Sequence, residues 1–128
     1  MQYAKWIIGA AIVSLACGSA TGPGGGGVTG GGQQGRVIVG NIFFRSAHNG
    51  SQNPAVDTIA AGASITWAWN AAGSHSIQST GQAPAIFRNS VVMSAGNSTY
   101  AVTFQNPGTY DYQCGVHGQL MTGRIVVQ

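Results

Sequence analysis

Three residue types that bind soft metals fall within eight positions of the chain, Cys114-Gly115-Val116-His117-Gly118-Gln119-Leu120-Met121. A Cys followed by Gly-Val-His is a common accident. The Met further on, leading into a strand-like pattern, makes the cluster specific. Gly73-Ser74-His75-Ser76, just after a Trp-rich segment, supplies a second His. Two imidazoles and a thiolate in a trigonal set, with a weak thioether on the axis, form the donor set of a copper electron-transfer site. A zinc site of this ligand count more often takes a fourth Cys or His.

Each of these residues also has a plainer reading. His75 alone would pass as a loop histidine, and Cys114 as an inert buried thiol. A disulfide between Cys114 and Cys17 would compete with metal binding. Met121 as a core plug would leave the axial place to Gln119 or a backbone oxygen. Met93 and His48 have no ligand spacing, and Trp67 and Trp69 share one strand face, as core residues do.

The elements that must hold these groups are short strands. Ile65, Trp67 and Trp69 alternate with Ser64, Thr66 and Ala68, and Tyr100, Val102 and Phe104 alternate with Thr99, Ala101 and Thr103. This period of two predicts half-buried strands. Val37, Val39 and Phe43 mark a first strand, and Asn49-Gly50 a turn. After Asn106-Pro107-Gly108, Tyr110 and Tyr112 share parity with Cys114, and an aromatic phenol so soon after the turn predicts a tyrosine corner. Ile125 and Val127 close the chain on a last strand after Gly123. Strands at such spacing with Gly, Pro and Asn turns predict an all-β fold, an antiparallel Greek-key β-sandwich in a single domain over 36–128. A domain of that length has a modest core.

Upstream, Met1 to Ala16 reads as an export signal, with Lys5 followed by an apolar run from Trp6 to Ala16. That run is too short to cross a bilayer, which needs about 20 residues. Residues 17–35 read as a flexible tether. Between Gly18 and Gly35, 10 of 18 residues are Gly, giving a typical span of roughly 23 Å. No phosphate loop, dinucleotide fingerprint or collagen period is present.

The 128 residues carry five Lys or Arg against two Asp or Glu, only 5% of the chain. Soluble domains average about 25%. This composition excludes a charged coiled coil and a nucleic-acid binder working through a basic stripe. The absence of Cys-x-x-Cys-His closes a haem route. With three His in all, a multicopper enzyme lacks ligands.

The segment from Gly108 to His117, with Met121-Thr122-Gly123-Arg124-Ile125-Val126-Val127, resembles the cupredoxins of the plastocyanin and azurin type. Ala61-Gly62-Ala63-Ser64-Ile65-Thr66-Trp67 resembles the strand that precedes the first ligand His in that family. The resemblance implies one type 1 copper ion, with His75, Cys114 and His117 equatorial and Met121 axial. Three residues separate His117 from Met121, where plastocyanins have four and amicyanin-like proteins two. Ser76 stands where the family carries an Asn that braces the Cys loop.

Val13-Ser14-Leu15-Ala16-Cys17-Gly18 resembles a bacterial lipoprotein signal, which implies lipidation at Cys17. The expectation is therefore a non-enzymatic one-electron carrier, lipid-anchored in the cell envelope, periplasmic or at the outer membrane. It would be a monomer that meets redox partner proteins and binds no nucleic acid. The alternative is copper sequestration or delivery in the same compartment.

Overall fold

A computed structural model of the chain describes residues 33–94 and 96–128, so the export segment, Cys17 and most of the expected tether lie outside the described residues. Eight strands are present: β1 (Arg36–Gly40), β2 (Phe43–Ser46), β3 (Ala55–Ile59), β4 (Ser64–Trp69), β5 (Gln78–Ser79), β6 (Thr99–Thr103), β7 (Gly108–Cys114) and β8 (Gly118–Val127). Among the described residues there is no helix. Two four-stranded sheets, in the orders β2-β1-β4-β6 and β3-β8-β7-β5, form the sandwich.

Alternation decides which side chains fill it. On β4, Ile65, Trp67 and Trp69 are buried while Ser64 is exposed; on β7, Tyr110, Tyr112 and Cys114 are buried. The rings around Trp67 define the core, with Tyr112 at 5.2 Å, Phe87 at 5.7 Å and Tyr100 at 5.9 Å between centroids. The tyrosine corner forms as expected, the Tyr110 hydroxyl donating to the Asn106 carbonyl at 2.9 Å.

The antiparallel expectation holds for β1/β2, β4/β6, β5/β7 and β7/β8, whereas β1/β4 and β3/β8 run parallel. Parallel neighbours cannot be joined by a tight hairpin and need a crossover. The chain makes both crossovers through the other sheet, so the mixture follows from the two-sheet architecture. The last strand begins at Gly118, earlier than the Gly123 suggested by its apolar pattern, which places Met121 inside β8. Hydrogen-bonded structure begins before β1, where Gln34 Nε2 donates to the Thr58 carbonyl.

Between β5 and β6 runs a long connection with little regular structure, of a length unusual without a functional reason. It adds Phe87 to the core, stacked on Trp67, and it also carries the segment that braces His75.

Candidate metal centre

Cys114 ends β7 as the third inward residue of that strand and is fully buried. His75 lies between β4 and β5, also fully buried. Its backbone is locked against Met93 by a pair of bonds, His75 N to Met93 O at 3.0 Å and Met93 N to His75 O at 2.9 Å. Next to it, Ile77 N donates to Ser90 Oγ at 2.8 Å and Ser90 N to Ile77 O at 2.9 Å. Met93 thus serves the site through its main chain, although it has no ligand spacing in the sequence. His117 sits in the turn between β7 and β8 and is half-buried.

The structure brings these three together. Cys114 Sγ is 3.5 Å from His117 Nδ1 and 3.8 Å from His75 Nδ1, and all three ligand atoms lie within 4.8 Å of one another. The two imidazole centroids are 4.9 Å apart. Metal–nitrogen and metal–sulfur bonds of about 2.0–2.3 Å place the corners of a trigonal set about 3.6 Å apart, so one ion fits the observed spacing. Soft thiolate with imidazole suits copper.

Met121 is fully buried within β8. Gln119, the alternative axial donor, is exposed. His48 lies outside the cluster, with its backbone N donating to Ser46 Oγ.

Electrostatics keep the His75 imidazole ready to donate. Burial, reinforced by His117, pushes the His75 pKa below that of an ordinary histidine, which leaves its ring neutral and its lone pair available. The Val116 N–H donates to Cys114 Sγ at 3.4 Å. Ser76, shorter than the Asn that the family carries there, still reaches the Cys loop. Its Oγ accepts from Gly115 N at 3.2 Å, joining the His75 segment to the Cys loop. The Val116 amide and the Met93 backbone could not have been found from residue type, because main-chain groups have no signature in a sequence.

Residues 51–128 match the family of copper binding proteins of the plastocyanin/azurin type. The chain belongs to that family. This cupredoxin is 37% identical over 78 residues, 60% of its length, to amicyanin-alpha of Methylorubrum extorquens, and it spans 63% of that relative. Its fold is similar to that of a purple cupredoxin from Nitrosopumilus maritimus, with a TM-score of 0.57 at 23% identity over 74% of this chain and 100% of the other. An oxidised amicyanin mutant also superposes, with a TM-score of 0.57 at 22% identity over 73% and 80% of the two chains. Copper is therefore the metal to which the cluster belongs.

Proposed function

We propose that this cupredoxin is a one-electron carrier whose copper is held by His75, Cys114, His117 and axial Met121. The observation that carries the reading is the pre-assembled triangle of one thiol and two ring nitrogens within 4.8 Å. Bound there, copper would supply a Cu(I)/Cu(II) couple. The protein's own part is to hold the ligands in one arrangement for both states. Cys114 is fixed by the β7 ladder, His75 by its pairing with Met93, and the two loops by the Ser76–Gly115 bond. Ligands that do not move on electron transfer keep reorganisation small. Burial of Cys114 and His75 excludes water, while half-buried His117 lies beside exposed Val116 and Leu120. His117 is thus the edge through which an electron would leave.

Adding Cu(II) to the metal-free domain should give one tightly held ion and an intense visible band from thiolate-to-copper charge transfer. Cys114→Ser should abolish the band, since a hydroxyl is a poor soft ligand. A variant that stays blue would refute the assignment. Reversible cycling without copper loss separates a carrier from a delivery protein.

The carrier reading includes attachment in the cell envelope through lipid on Cys17, supported by the signal-like sequence before it. A single acyl chain anchors only marginally, so stable attachment needs several chains. Cys17→Ala should move the protein out of the membrane fraction without changing the blue band. A wild-type chain found wholly in the soluble fraction excludes the anchor.

A further inference from the structure

The β7/β8 register passes from Gln113↔Thr122 directly to Cys114↔Gly118. Gln119, Leu120 and Met121 therefore have no partner in that ladder. On the opposite edge of β8, pairing with β3 begins at Ala55↔Gly123. The preceding residue, Pro54, has no N–H to donate to this pairing. The bond within the turn, Leu120 N to His117 O, is long at 3.4 Å. The stretch that delivers Met121 thus lies outside the register of both ladders.

Asn53 fills that gap. Its Nδ2 donates to the Leu120 carbonyl at 3.1 Å and to the Ile42 carbonyl at 3.0 Å, while its Oδ1 accepts from Phe44 N at 3.0 Å. Both amide donors and an acceptor are in use. Asn53 itself has φ of 40° and Ile42 has φ of 60°. That left-handed region is tolerated by Asn but is rare for a β-branched residue. The strained Ile42 turn and the Met121 stretch are therefore held by the same side chain.

We propose that Asn53 is the positioning residue for the axial ligand. The inference rests on the copper reading above. The Leu120 carbonyl belongs to the peptide whose nitrogen is Met121's own, so holding that oxygen fixes the plane from which the Met121 side chain springs. An axial thioether bond is weak and long. Its length is set by where the chain holds the sulfur, more than by the bond itself. The equatorial ligands have their own supports, and Asn53 supplies one for the axial ligand.

Two variants test this. Asn53→Gly removes the amide, accepts the left-handed backbone and adds no charge. Asn53→Asp keeps an oxygen for Phe44 N, and tolerates the backbone, but loses both donors. In the metal-free protein, hydrogen exchange at residues 119–121 should accelerate about three- to tenfold in both variants, the size expected for one lost hydrogen bond. Amides of β4 and β7 should not change. With Cu(II) bound, Asn53→Gly should shift its reduction potential upward, the direction expected for a weakened axial donor.

Unchanged exchange, an equal rise throughout the fold, or an effect in Asn53→Gly without one in Asn53→Asp would overturn the role. A wild-type chain that stays colourless with Cu(II) would overturn the copper reading instead. The exchange data need no metal, so they report separately on whether Asn53 holds the loop.

Discussion

Gly115 follows the Cys ligand and has room for nothing larger than hydrogen, since a Cβ there would lie 2.6 Å from Ser76 Oγ. That same oxygen accepts the Gly115 N–H, so crowding and bonding meet at one atom. Gly115→Ala should push Ser76 away and cost about 1–3 kcal/mol, as overpacking does. Ser76→Ala should cost about 0.5–1.5 kcal/mol for the lost bond. Together the two should cost less than their sum, because removing Oγ makes room for the methyl group. A double-mutant cycle from denaturation of the metal-free protein checks this, and strict additivity would show that the two side chains do not meet. If Met121 is the axial donor as proposed, Met121→Leu should retain copper and raise the reduction potential, whereas Met121→Gln should lower it, since an amide oxygen favours Cu(II). Voltammetry with no shift in either variant would take the axial role from Met121. The thiol and imidazoles were legible in the sequence because such donors are rare in this chain and their spacing is informative. Asn53 was not legible, since an Asn before a Pro looks like any turn residue until the fold brings Leu120 to it.

At the scale of elements, β3 escaped the sequence pattern for an identifiable reason. Its inward positions are Ala55, Asp57 and Ile59, so a carboxylate interrupts the apolar alternation by which β4, β6 and β7 were recognised. Asp57 is only 1% exposed. Its Oδ1 accepts the Ser46 hydroxyl at 2.7 Å, while Oδ2 is buried without a partner. Burial raises its pKa above the usual carboxylate value, against the smaller opposing effects of the Ser46 bond and the His48 charge. A folded-state pKa raised in this way adds stability below the unfolded value of about 3.9, and that stability is lost as pH rises through the folded value. When ionised, the residue is a half-satisfied buried charge. Asp57→Asn keeps an acceptor for Ser46 and should be more stable than wild type by about 1 kcal/mol at pH 7. The gap should narrow as pH falls toward about 4. Urea denaturation across this range decides it, and parallel stability profiles would remove Asp57 as the cause. The early start of β8 was hidden for a related reason: its first residues include exposed Gln119 and Leu120 and follow no alternation.

Over the whole molecule, charge is too sparse and too scattered to guide a partner. Asp57 is buried, and Asp111 is engaged by Arg124, whose Nε donates at 2.6 Å across the β7/β8 pair. Arg36 and Arg45 are diagonal neighbours across the β1/β2 pair and Arg88 lies in the β5–β6 connection, so the largest grouping this register gives among them is a pair. The His117 edge instead presents exposed Val116 and Leu120. Ile42, also exposed, is tied to Leu120 through the Asn53 amide, which extends the apolar rim beyond the ligand loop. Electrostatic steering needs a concentrated field and loses rate steeply with ionic strength. Apolar contact does not. Electron exchange with a redox partner should therefore change little between about 10 mM and about 0.5 M salt, although the Debye length falls from about 30 Å to about 4 Å across that range. Stopped-flow rates would show a decline of tenfold or more if steering dominated, and the docking surface would then lie elsewhere. Leu120→Asp should slow exchange at every salt concentration while leaving the visible band in place, because it puts a charge on the rim without touching a ligand. Retention of the band distinguishes a lost docking surface from a damaged copper site, and a variant that exchanged electrons at the wild-type rate would clear Leu120 of any part in docking.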